Sequence, residues 1–268
     1  HFVRLAKQHK IENKKELLEE ADKWRQTEIS LFNKTDVILT PSDDEKEFIK
    51  GLGVSGDKIF AIKPYIFETQ PGVIDDFSER KDILFIGGFT HLPNVDAVLW
   101  FVNEVWPLVR NKVAGAKFII AGSNPPREIN ALAGDDIEVL GFISDETLQS
   151  LYGKIKMVVI PLRYGAGVKG KTVEAMYNGI PLVTTDFGVE GLPGDPSFLT
   201  PKNSPVAFAE ETARLYNASN SELAALSARQ VEYIHDHFHF DVVKSEVQAI
   251  LNMNEEPIDL TLTNEILK

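Results

Sequence analysis

Residues 157–186, MVVIPLRYGAGVKGKTVEAMYNGIPLVTTD, decide how the chain is read. Met157-Val158-Val159-Ile160 is a short, unbroken apolar run, the pattern of a strand buried on both faces. Gly165, Gly167 and Gly170 follow, with Lys169 and Lys171 interleaved. Val173, Ala175, Met176 and Tyr177 then suit a helix packed on a sheet, and Gly179 supplies its stop. Residues 180–184 return as a second buried strand. A glycine loop that opens a helix inside an α/β unit suits an anion. Glycines let the backbone come close, amides face outward, and the helix dipole favours negative charge.

Three phosphate-binding readings compete. Residues 165–172 fit G-x-x-x-x-G-K-[ST], the P-loop pattern, with Thr172 in its hydroxyl position. Gly165, Gly167 and Gly170 also fit the dinucleotide pattern G-x-G-x-x-G, with Asp186 ending the next strand as a ribose-binding acid would. The third is a nucleotide-sugar loop followed by a buried acid, Glu174. Against all three stands a plain glycine turn with two solvated lysines.

The 268 residues allow one or two domains. Hydrophobic residues make up 43% and charged residues 25%, the balance of an ordinary globular protein. A net charge of −12 argues against general nucleic-acid binding, which needs a basic face. It leaves room for a local basic pocket around Lys169 and Lys171. Without cysteine there are no disulfides and no thiolate metal sites. No apolar run reaches the ~18 residues of a membrane span. The chain opens at His1 inside helix-like sequence, so a piece of a longer protein is expected.

In chain order, the Lys- and Glu-rich residues 1–32 read as a long amphipathic helix, with a break near Asn13. Residues 36–40 form a strand, and Ser42 or Asp43 caps a helix over 44–50. Residues 58–62 form a second strand, and 64–80 read as a linker. A second block begins at Asp82. Residues 83–86, 117–121 and 137–140 are buried strands; the first ends in Gly87-Gly88. Pro93 starts a helix to about Arg110, with a kink expected at Pro107. Short helices follow over 127–132 and from Ser144 or Asp145 to Tyr152. The opening stretch supplies strands four and five. After Asp186 come a glycine-rich loop, a short strand near Phe198-Leu199, and helices over about 204–217, 221–236 and 241–252. His235, His237 and His239 fall between the last two, as loop histidines. Strands alternating with helices mean a parallel, doubly wound sheet.

This order separates the readings. A P-loop or dinucleotide fingerprint sits at the first strand-to-helix turn of its domain. Here three strand–helix units precede the loop, and residues 161–164 intervene before the first glycine. The nucleotide-sugar reading fits best; ATP or NAD binding remains the alternative.

Residues 82–252 resemble the carboxy-terminal, donor-binding domain of retaining glycosyltransferases with the GT-B fold, in the large family 4, or group 1. The matching segments are ILFIGGFTHLPNVDAVLWFVNEVWP, KFIIAGSNPP, IEVLGFISDETLQSLY, PLRYGAGVKGKTVEAMYNGIPLVTT and FGVEGLPG. The resemblance implies an α/β fold: a Rossmann-like doubly wound sheet with a partial amino-terminal α/β segment. Residues 1–66 would be the remnant of the acceptor-side domain, 67–81 a linker, 82–225 the donor domain, and 226–268 carboxy-terminal helices and tail. The helices would cross back onto the remnant.

The resemblance also implies roles. Glu174 matches the second glutamate of the family's E-x7-E motif and would hold the donor ribose. The first would fall at Ala166, so sugar recognition would lean on the backbone amides of Gly165, Ala166, Gly167 and Val168. Lys171 would meet the diphosphate; Lys169 and Arg163 read as solvated surface. Lys171 and Glu174 are the catalytic candidates. Gly87 and Gly88 would let the donor approach, and Thr172 is counted among the substrate-binding residues. Phe142 and Ile143 match the loop that reads the base. The basic residues common after the first glycine turn are replaced by His91 and Asn94. No Asp-x-Asp occurs, so no metal site is expected and no cofactor; the nucleotide-diphosphate-sugar is a substrate. The implied activity is metal-independent sugar transfer, with retention, to a glycan or lipid-linked acceptor in bacterial surface polysaccharide or glycoconjugate synthesis. A cytoplasmic protein, peripheral to the membrane at full length, is implied. Ala166 and the thin basic clamp also admit a degenerate domain that binds without turnover.

Overall fold

The computed structural model describes residues 14–69, 72–113, 115–194 and 196–252. The helix expected over residues 1–13 and the tail after Asn254 lie outside the described residues. The chain begins with α1 (Lys14–Lys34), followed by β1 (Ile38–Thr40), α2 (Asp43–Gly51) and β2 (Ile59–Ala61). Ser42 caps α2 by accepting the Glu45 N–H, which frees Asp43 to complement the helix dipole. β1 and β2 pair in parallel and, with α2, close a small core of Ile38, Ile49, Val54 and Ile59.

The main body follows. It contains β3 (Ile83–Ile86), α3 (Leu92–Trp100), α4 (Trp106–Val109), β4 (Phe118–Ala121), α5 (Arg127–Asn130), β5 (Ile137–Gly141), α6 (Asp145–Tyr152), β6 (Met157–Ile160), α7 (Gly170–Tyr177) and β7 (Leu182–Thr184). Its five strands run β5-β4-β3-β6-β7, all parallel. Every residue of β4, β6 and β7 is buried, so their unbroken apolar runs are explained by cover on both faces. The strand order reverses between β3 and β6. In an open parallel sheet the crevice beyond the carboxyl ends at such a reversal is where ligands bind. The loops entering it are the two that the sequence singled out, after β3 and after β6.

Three local expectations change. The helix after Pro93 is continuous in direction but not in kind: α3 gives way to a π turn over Phe101–Val105 before α4. Pro107 carries no N–H and cannot continue the ladder, so an irregular turn absorbs the mismatch. Phe198-Leu199 forms no strand; Leu199 closes a turn onto Pro196. Residues 186–189, expected as loop, form a short helix, α8 (Asp186–Val189).

The chain ends in α9 (Pro205–Tyr216), α10 (Asn220–Phe238) and α11 (Phe240–Asn252). His235 and His237 lie in the last turn of α10 and His239 is its C-cap, so only one of the three is outside the helix. Phe67 bridges to His239, and Lys63 pairs with Glu246 of α11. The last helix therefore does cross back to the amino-terminal segment. Among the described residues no helix is long and apolar enough to cross a membrane.

Candidate functional site

Gly87 directly follows β3, where a side chain has no room. A Cβ there would sit 2.5 Å from the Lys171 ammonium and 2.7 Å from the Asn94 amide nitrogen. Asn94, in the first turn of α3, is 5% exposed. Its amide donates to the Gly88 carbonyl at 2.7 Å, and its oxygen accepts from Lys171 Nζ at 2.6 Å. The Lys171 ammonium also lies over the Phe85 ring, 4.4 Å from its centre. Lys171 is half-buried as a residue, but its charged end is enclosed. Burial first, then the neighbouring Lys169 charge, pushes its pKa down to about 7.

Glu174 stands one turn later on α7, within helical reach of Lys171. The two form no ion pair, and the Glu174 carboxylate has no hydrogen-bond partner among the described residues. Burial, and secondarily the charge of Asp145, raises its pKa. Beside it, Tyr152 is 3% exposed and its hydroxyl is buried without a partner. Burial, then the Glu174 charge, pushes that phenol up. Lys171, bonded to the neutral Asn94 amide, and Glu174 thus lie one turn apart on α7, neither paired with an opposite charge among the described residues. Such a pair could meet a ligand that carries anionic and hydroxyl functions.

The loop between β6 and α7 supplies neutral donors. The N–H groups of Ala166, Gly167 and Val168 meet no acceptor among the described residues. Gly165 and Gly167 hold φ of 140° and 73°, where glycine is favoured. Thr172, counted among the substrate-binding residues, turns inward instead. It is fully buried, its hydroxyl donates to the Gly188 carbonyl at 2.7 Å, and its N–H donates to the Lys169 carbonyl. Phe142, after β5, is 77% exposed at the rim, with Ile143 half-buried behind it.

Two basic residues read as solvated are otherwise engaged. Lys169 is buried and contacts the Gly167 carbonyl and Glu190. Arg163 keeps an exposed guanidinium, but it clamps Asp96 of α3 through two hydrogen bonds. His91, at the start of α3, has its pKa lowered by burial, then by Lys171 and Lys169.

The amino-terminal segment reaches the same loop. A Cβ on Gly170 would lie 2.7 Å from the Tyr65 hydroxyl, and one on Gly167 would lie 3.5 Å from Glu45. Asp44 accepts the Gly191 N–H at 3.2 Å. Between the two units lies a cavity of about 140 Å³, lined by residues 41–44, 61–63 and 191–194. The sequence reading missed Asn94 as a ligand of Lys171, Tyr152 beside Glu174, and Glu190. A buried asparagine directly after Pro93 was a signal in principle. The other two pairings join distant segments and carry no local pattern.

The fold is shared with solved structures. A crystal structure of a mutant of S. aureus TarM in complex with fondaparinux, alpha-GlcNAc-glycerol and UDP superposes with a TM-score of 0.69 at 21% identity, over 86% of this chain and 46% of that one. An uncharacterized 44.6 kDa protein in the cps region of Klebsiella pneumoniae is 27% identical over 62% of this chain and 45% of its own length. An uncharacterized glycosyltransferase of Methanocaldococcus jannaschii is 31% identical over 46% of this chain and 30% of its own. The chain thus spans less than half the length of these curated relatives. Residues 80–218, more than half of the chain, match the family described as glycosyl transferases group 1, and the chain belongs to that family of sugar-transferring enzymes.

Proposed function

We propose that this chain is the donor-side part of a GT-B glycosyltransferase that moves a sugar from a nucleotide-diphosphate-sugar to a glycan or lipid-linked acceptor. One observation carries the reading: Lys171 and Glu174 lie unneutralised on the same helix face, at the crevice where the sheet order reverses. The diphosphate would take Lys171 and the amides of residues 166–168, with Gly87 and Gly88 allowing close approach. Glu174 would accept from the ribose hydroxyls. The exposed Phe142 ring and the Ile143 backbone would face the base.

Bond cleavage puts growing negative charge on the departing diphosphate, and a fixed cation and fixed amides stabilise that charge more than they stabilise the substrate. With Lys171 serving this role, transfer needs no divalent ion. Retention follows if the acceptor hydroxyl is held on the face of the sugar that the diphosphate leaves. We place the whole protein in the cytoplasm at the membrane face, in surface polysaccharide or glycoconjugate synthesis. The cps-region name of one relative supports the polysaccharide setting, and the UDP bound by the structural neighbour supports a nucleotide-sugar donor.

Calorimetric titration with UDP, GDP, ADP, NAD and ATP tests the reading. One nucleoside diphosphate should bind best, and Lys171→Ala or Glu174→Ala should weaken it by about tenfold to a hundredfold, the usual worth of a charge-assisted hydrogen bond. Binding unchanged by both substitutions would refute the site. Ala166, which removes the first acid of the family motif, favours a second reading: a domain that binds donor without turnover. Transfer or hydrolysis of donor sugar by the full-length enzyme excludes it.

A further inference from the structure

Lys169 is 9% exposed although it lies in a glycine loop at the mouth of the site. Its ammonium donates to the Gly167 carbonyl and lies 3.4 Å from Glu190 Oε2. A buried ammonium is costly unless an anion lies at hand or its pKa falls. Glu190, half-buried at the end of α8, supplies one. Its own position is fixed from several sides. Thr172 of α7 donates to the Gly188 carbonyl, Leu192 N–H closes onto Val189, and Gly191 gives its N–H to Asp44.

The consequence lies in the peptide between Gly167 and Val168. A trans peptide is planar, and its C=O and N–H point in opposite directions. Drawing the Gly167 carbonyl toward Lys169 therefore turns the Val168 N–H to the other side, where it meets no acceptor among the described residues. Gly167, at φ 73°, permits this orientation.

We propose that Glu190 is a positioning residue for sugar transfer: through Lys169 it locks the Gly167–Val168 peptide so that the loop amides stand ready for the donor diphosphate. The proposal rests on the reading of this loop as the diphosphate cradle. Glu190 touches no reacting atom; it acts through Lys169 and the backbone. In a chain with Ala166 in place of the motif's first acid, this ion pair gives the loop its shape.

The test is a double-mutant cycle on binding of UDP, or of whichever diphosphate the wild type prefers, joined to backbone amide spectra of the unliganded chain. Glu190→Gln, Lys169→Met and the double variant should each weaken binding about tenfold, with the double no worse than either single, as for two residues acting in series. Glu190→Asp should recover binding to within about threefold of wild type. Without ligand, the Gly167 and Val168 amide signals should move in Glu190→Gln and return toward wild type in Glu190→Asp. Wild-type or tighter binding by Glu190→Gln would overturn the proposal, since Lys169 would then meet the phosphate directly. So would losses that multiply, or amide signals that stay put. Failure of the wild type to bind any nucleoside diphosphate would sink the donor reading, and the amide spectra would then decide the role of Glu190 by themselves.

Discussion

At the scale of single residues, Lys171 carries the sharpest pH signature. An ordinary lysine loses its charge only near pH 10, whereas this one is pushed down to about 7. Its folded pKa lies below its unfolded value, so the unfolded chain binds more protons between these two limits. This group's contribution to stability therefore rises with pH across that window. A diphosphate bound there would restore the proton. At pH 8 donor binding should take up close to one proton, at pH 6 almost none, and affinity for a nucleotide sugar should fall up to about tenfold per pH unit above neutrality. Calorimetry in two buffers with different ionisation heats measures this directly; Lys171→Arg, always charged, should abolish the uptake. Equal uptake at both pH values would mean that Lys171 stays charged when the site is empty. Lys171 was legible in the sequence because spacing alone puts it behind a glycine loop. Lys169 was not, because its burial depends on Glu190, which lies 21 positions further along the chain.

At the scale of elements, the ends of β3 and β4 are fitted without side chains. A Cβ on Gly122 would overlap the Gly87 carbonyl oxygen and lie 2.7 Å from its carbonyl carbon. Backbone cannot swing aside as a side chain can, so Gly122→Ala should cost about 3 kcal/mol, seen as a lower denaturation midpoint at unchanged slope. In Gly87→Ala the nearest atoms belong to the Lys171 and Asn94 side chains, so it should instead spoil nucleotide binding with a smaller loss of stability. Equal stability losses in the two variants would show that these contacts are not the ones that matter. The strands and their glycine turns could be read from the sequence because burial on both faces leaves an unbroken apolar signature. The π turn before Pro107 could not, because its form depends on how α3 and α4 pack on the same sheet. The short helix α8 was hidden by its glycine; Gly188 is needed there because a Cβ would strike Thr184.

At the scale of the molecule, strand alternation gave the sheet and its reversal, and the resemblance placed the carboxy-terminal crossing. The packing of Tyr65, Glu45 and Asp44 on the loop of residues 165–170 and its neighbour Gly191 had no sequence signal, since it joins segments about a hundred residues apart or more. The matched stretches cover less than half of either curated relative; if the remainder of a longer protein carries the acceptor side, this chain should bind donor yet transfer poorly, because water would not be excluded from half a cleft. A longer form with the rest of the acceptor-side half should turn over faster on the same substrates, and equal rates would place the acceptor residues within residues 1–268. The unneutralised pair, Lys171 and Glu174, has one more consequence, for the life of the protein in a cell. A donor that meets both groups binds only the folded state and adds stability in proportion to the logarithm of its concentration. Starved of donor, the enzyme would open more often and meet proteases more often; well supplied, it would persist. Abundance of the enzyme would then follow the supply of activated sugar with no dedicated regulator.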